Sequence, residues 1–85
     1  MYRIVRTRKA EKDIELLKSS HLNNKAMALL EIIERNPYER PVEKLINLNN
    51  TYSKRINGKH RLVYEVFEDI KTIKVISLWG HYDDN

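Results

Sequence analysis

Apolar positions recur with two different periods along this chain, and the changes of period mark its elements. From Tyr2 to Arg6 apolar and polar residues alternate loosely, which predicts a short, partly exposed first strand. Ala10, Ile14 and Leu17 then recur at i, i+4 and i+7, placing an apolar stripe on a helix from about Arg8 to Lys18. Thr7 stands before it as an N-cap, because its hydroxyl can accept one of the helix's orphan amides. Ser19-Ser20-His21 breaks the pattern. A second helix follows from about Leu22 to Arg35, with Leu22, Ala26, Leu29, Leu30 and Ile33 on one face. Asn36-Pro37 ends it, since the residue before a proline avoids the helical region.

The tract from Asn36 to Asn50 contains both prolines and an asparagine cluster, and reads as a long surface loop with a short ordered middle. Beyond it the period drops to two. Tyr52 to Ile56 and Arg61 to Phe67 are rich in β-branched and aromatic residues and flank Asn57-Gly58, a pair that tolerates the positive φ of a tight turn. Glu68-Asp69 offers a further turn, and Ile70 to Leu78 reads as the last strand. Two successive amphipathic helices cannot bury their stripes alone, so both must pack on the sheet. The expected fold is a small α+β domain. A helical hairpin covers one face of a twisted, largely antiparallel sheet, and the other face is concave and basic.

Eighty-five residues with 41% hydrophobic content make one domain, 1–85. No apolar run is long enough to span a bilayer, and the start of the chain lacks the apolar core of a signal peptide, so a cytoplasmic protein without membrane association is expected. The net charge of +4 favours a polyanion or an acidic protein as partner. The charge is concentrated around the hairpin: Lys54, Arg55, Lys59 and Arg61 lie there, with no acidic residue between Lys44 and Arg61. A two-residue turn would set Lys54 opposite Arg61, and a three-residue turn would set Arg55 there. Like charges about 5 Å apart across a sheet repel unless an anion lies between them. Either register fits a phosphate site, and solvated edge cations fit the same residues.

Cysteine is absent and the three histidines are scattered, so neither a metal nor a cofactor is expected. His21 falls in the helix break, His60 borders the hairpin turn, and His81 follows the last strand beside Trp79, Gly80 and Tyr82. RNA cleavage without a metal needs a base for the 2′-hydroxyl, cations for the charge gathering on phosphorus, and an acid for the departing 5′ oxygen. Glu43, Arg55 with Arg61, and His81 are available for those roles.

Three stretches carry a family likeness: EKL (Glu43 to Leu45), YSKRINGKHRLVYEV (Tyr52 to Val66) and GHY (Gly80 to Tyr82). They resemble the YoeB/Txe branch of the RelE/ParE superfamily, and the element order resembles the RelE-like fold. The resemblance implies a toxin of a type II toxin–antitoxin system, a ribosome-dependent endoribonuclease that cleaves mRNA in the ribosomal A site and inhibits translation. It implies Glu43 as general base, Arg55 as the second of two basic residues before the turn, and Arg61 as the stabiliser of a phosphorane-like state. It implies His81 as general acid and Tyr82 as a substrate-holding residue. Placing Arg55 and Arg61 in one site favours the three-residue turn. Lys44, Lys54, Lys59 and Trp79 are the further RNA-binding candidates. Expected partners are the ribosome, mRNA and a cognate antitoxin with an acidic C-terminal segment, with monomer and homodimer both open. Three departures from the family pattern stand out: Ile46 where a lysine is usual, a segment between Glu43 and Ser53 shorter by one residue, and Trp79 where arginine is common. A catalytically weak RNA- or ribosome-binding module, or a small basic interaction domain, would use the same cations without needing Glu43 or His81.

Overall fold

A computed structural model describes residues 1–80. Strand β1 (Arg3–Arg6) leads into helices α1 (Arg8–Lys18) and α2 (Asn23–Arg35), followed by strands β2 (Glu43–Lys44), β3 (Thr51–Arg55), β4 (Arg61–Phe67) and β5 (Thr72–Ser77). The five strands form one sheet in the order β1-β5-β4-β3-β2. Among the described residues β1 and β5 are the one parallel pair, and the other pairs are antiparallel. Among the described residues, no helix is long and apolar enough to cross a membrane.

Each boundary has a local cause. Thr7 caps α1 as expected, its Oγ1 accepting the Ala10 amide at 3.0 Å while its hydroxyl donates to the Ile76 carbonyl at 2.8 Å. One side chain therefore starts the helix and fastens it to β5. In the helix break, Ser20 Oγ accepts the Leu22 amide at 3.1 Å, so α2 begins one residue later than the apolar pattern indicates. Asn36 takes an extended conformation (φ −153°), and Pro37 follows. The last strand is shorter than its apolar run. Glu68–Ile70 forms a 3₁₀ turn, and Lys71 exits it with a φ of 48°.

The core lies on one side of the sheet. Ala10, Ile14 and Leu17 of α1 and Ala26 and Ile33 of α2 pack with Leu62, Tyr64, Val66, Ile73 and Val75. Truncating one of these fully buried aliphatic side chains to alanine removes about 2–5 kcal/mol. Both helices are spent on this face, which leaves the opposite face of β2, β3 and β4 for chemistry.

A cluster of phenols and one carboxylate holds the N-terminus, the loop after α2 and the 3₁₀ turn together. Glu68 Oε2 accepts from Tyr2 Oη at 2.6 Å and from Tyr38 Oη, while Lys71 Nζ lies 3.0 Å from Oε1. Beneath them Tyr38 meets Tyr52 edge-on and Tyr52 stacks on Tyr64, whose hydroxyl donates to the Pro37 carbonyl at 2.6 Å. The hydrogen bonds from Tyr2 and Tyr38, with that from Lys71, pull the Glu68 carboxyl from its ordinary 4.5 to about 2. Because the folded value is the lower one, this carboxylate contributes its full stabilisation above pH ~4.5 and loses it as pH falls toward 2. Glu68→Gln should therefore lower stability at neutral pH and flatten the acid limb of the curve across that window, so that the two proteins converge as pH falls toward 2. Urea unfolding at closely spaced pH values measures this. Parallel curves for the two proteins would show that Glu68 does not govern acid stability.

Candidate active site

The β3–β4 turn decides which cations meet, and it forms differently from a positive-φ Asn-Gly turn. Neither Asn57 nor Gly58 adopts a positive φ; the left-handed conformations outside glycine fall at Asn47, Asn50 and Lys71. Asn57 works through its side chain instead. Its Oδ1 accepts the amides of Lys59 at 2.8 Å and His60 at 2.7 Å, a bond pattern that asparagine makes readily in turns. The Ile56 amide donates to the His60 carbonyl at 2.9 Å, closing a three-residue turn. In that register Arg55 pairs directly with Arg61.

Alternation along the strands then sorts the side chains by face. Ser53 and Arg55 of β3 share the open face with Arg61 of β4, and Glu43 of β2 pairs with Ser53. Arg61 Nη1 donates to Glu43 Oε1 at 2.6 Å and to Ser53 Oγ at 3.4 Å. The Arg61 side chain is only 19% exposed, whereas that of Glu43 is 62% exposed. A rigid guanidinium thus lies at the base of a pocket of about 100 Å³ whose rim includes Glu43, Arg55 and Val42. Arg55 forms no ion pair among the described residues, so the pair of arginines and one carboxylate leaves an excess positive charge there. A guanidinium fork offers two parallel donors to a phosphate's oxygens, and the neighbouring carboxylate can accept a proton.

Not every candidate cation joins this group. Lys54 is 4% exposed and lies on the helix-covered face, where its Nζ donates to the carbonyls of Glu39 and, at 2.9 Å, Pro41. Burial lowers its pKa, and the nearby Glu39 carboxylate partly offsets this. Lys54 cannot contribute to an RNA-facing surface in this arrangement. Lys44 pairs with Tyr52 and is exposed, but it points away from the face that Glu43 occupies. Lys59 is exposed in the turn. Trp79 packs against the core, and its ring stacks on His60 with centroids 4.1 Å apart, so one indole face is covered.

Two residues singled out by no functional reading of the sequence bring the end of β5 to the turn. His60 Nδ1 accepts the Gly80 amide at 2.7 Å, and the Gly80 carbonyl accepts the Arg61 amide at 3.1 Å. Gly80 has a φ of 98°, which a residue with a side chain would adopt only with strain. Asp13, buried on the apolar stripe of α1, accepts the Leu78 amide at 2.9 Å and the Trp79 amide at 3.1 Å through Oδ2. A carboxylate on an otherwise apolar helix face was the signal in the sequence. His81 and Tyr82, the remaining site candidates, lie outside the described residues.

The family of YoeB-like toxins of bacterial type II toxin–antitoxin systems matches residues 7–82. Comparison with curated protein sequences finds no match. Among solved structures, a YoeB/ParE toxin from Agrobacterium tumefaciens superposes with a TM-score of 0.85 at 26% identity, covering 94% of this chain and 99% of its own. A YoeB dimer from Staphylococcus aureus gives a TM-score of 0.80 at 34% identity, covering 95% and 98%. The Escherichia coli RelBE toxin–antitoxin complex, at 21% identity, shares the fold with a TM-score of 0.82 and covers 98% and 100%. With its two helices on one face of a five-stranded sheet and a family match over nearly its whole length, this chain belongs to the YoeB-like toxins of bacterial type II toxin–antitoxin systems.

Proposed function

We propose that this protein is a ribosome-dependent mRNA endoribonuclease that cuts in the ribosomal A site and is held inactive by a cognate antitoxin. The observation that carries this is the contact of Glu43 with Arg61, set beside the Arg55–Arg61 strand pair. A carboxylate and two guanidiniums on one strand scaffold are what attack by a 2′-hydroxyl on its own phosphodiester requires.

In this mechanism an incoming phosphate competes with Glu43 for Arg61. As the guanidinium turns to the phosphate, the carboxylate is released to take the 2′-hydroxyl proton. The 2′ oxygen bonds to phosphorus, the bond to the 5′ oxygen breaks, and Arg61 with Arg55 balances the charge on the non-bridging oxygens. His81 donates the proton that the 5′ oxygen needs, and Tyr82 holds the substrate. The products are a 2′,3′-cyclic phosphate, opening to a 3′-phosphate, and a 5′-hydroxyl. Lys59 and Lys44 add general attraction for RNA. An antitoxin partner is inferred from the Staphylococcus aureus YoeB–YefM complex, and the excess positive charge of the open face is what an acidic segment of it would cover. Homodimerisation is proposed on the same footing from the dimeric Staphylococcus aureus relative.

Glu43→Gln keeps the size and removes the base. Single-turnover cleavage on programmed ribosomes should fall by about 10²–10⁴-fold, with ribosome binding nearly unchanged. Cleavage within a few-fold of wild type would exclude Glu43 as the base. Undetectable cleavage by the wild-type protein, with binding to ribosomes intact, would favour the binding module that needs only the cations.

A further inference from the structure

Strand β2 consists of two residues, Glu43 and Lys44, paired with Ser53 and Tyr52. So short a ladder does little to orient a side chain, and the loop before it is fastened at its start, through the Pro37 carbonyl and the Tyr38 hydroxyl, several residues before Glu43. Pro37 and Pro41 have no amides to donate, and the Glu39 amide bonds back to the Asn36 carbonyl at 3.2 Å. Closer to β2, this loop is gripped by the buried ammonium of Lys54, through the carbonyls of Glu39 and Pro41. Pro41 is two residues before Glu43, and Lys54 directly follows Ser53, the strand partner of Glu43. One side chain, on the face opposite the site, thus ties the entry of β2 to the strand on which β2 must register.

We infer that Lys54 is a positioning residue, which sets the height and direction of Glu43 against Arg61 from the far face of the sheet. This rests on Glu43 acting as the base. A lysine suits the task because its three donors can serve two carbonyls at once, and because its stem is long enough to pass the buried edge. An apolar side chain at this position would leave both carbonyls without that donor and β2 held by its own two pairs.

The test combines cleavage with hydrogen exchange on the intact chain. Lys54→Met should slow single-turnover cleavage by about 10²-fold, the scale of a displaced catalytic group. In a Glu43→Gln background the same change should cost no more than about twofold, because the group it positions is already gone. Lys54→Met should also speed exchange at the Leu45 amide, which bonds to the Thr51 carbonyl at 2.9 Å to close β2 on β3, far more than at the Arg61 amide. Lys54→Gln, which retains two amide donors, serves if the methionine variant does not fold, and should give the same pattern at smaller amplitude. Equal losses in both backgrounds, or exchange rising uniformly, would overturn the inference and make Lys54 a general stability residue. If the wild type does not cleave RNA, the ribonuclease proposal fails, while selective exchange at Leu45 would still uphold the placement of β2 by Lys54.

Discussion

Arg61→Ala should lower single-turnover cleavage by about 10²–10³-fold while barely changing the stability of the fold. The two effects separate because they draw on different states. In the free protein Arg61 pairs with a Glu43 that is largely in water, and a pair of that kind is worth about 0–1 kcal/mol. Part of even that is offset, since the pairing sets Arg61 directly across from Arg55 and removes a repulsion when Arg61 goes. In the proposed transition state the same guanidinium meets charge that has only just formed on phosphorus, on a scaffold that need not reorganise. A lost donor there costs roughly 3–4 kcal/mol of barrier. Urea unfolding midpoints beside single-turnover rates on programmed ribosomes separate these quantities. A rate within tenfold of wild type, or a loss of stability large enough to explain the rate, would remove Arg61 from its role. Arg61→Lys should recover little, because a point charge cannot reproduce the bidentate fork.

Asp13→Ala should be the most destabilising polar substitution, at about 3 kcal/mol. The carboxylate is buried and accepts two amides, from Leu78 and Trp79, where β5 ends. Each amide stripped of its acceptor in the interior costs about 1–3 kcal/mol. The bond from Lys9 adds little, because that lysine is mostly exposed. For a domain of this size the loss corresponds to a fall in Tm of about 15 °C. Asp13→Asn keeps an oxygen for the amides and should lose about 1 kcal/mol. If the two variants melt together, the charge and not the acceptor geometry is what matters. Activity should fall along with stability in Asp13→Ala, since Leu78 and Trp79 lead to Gly80 and so to His81.

The elements, and much of the candidate site, were legible along the chain. The i, i+4, i+7 spacing of Ala10, Ile14 and Leu17 places α1 correctly, and Thr7 caps it as its hydroxyl predicts. The second helix, the hairpin strands and the one-sided burial likewise follow from period and breaker residues, which act over a few positions. Asn57 marks the turn, although by its side-chain acceptor and not by a positive φ. The three-residue register, favoured by the family likeness, brings Arg55 to Arg61.

What lies beyond the sequence concerns faces and distant partners. Consecutive strand residues point to opposite sides, so Lys54 and Arg55 cannot both face RNA. Which of them does depends on the side the helices cover, and that is settled by packing between segments far apart in the chain. The same is true of Asp13, an acidic residue on an apolar stripe until the amides of Leu78 and Trp79 arrive 65 and 66 residues later. It is true of β2, too short for a periodic signal and held in place by β3 and by a lysine from the far face. Local spacing determined the helices, the strands and the chemical groups on offer. The tertiary structure decided which charges are buried as struts and which remain free to meet a phosphate, because burial is set by the layers a residue lies between.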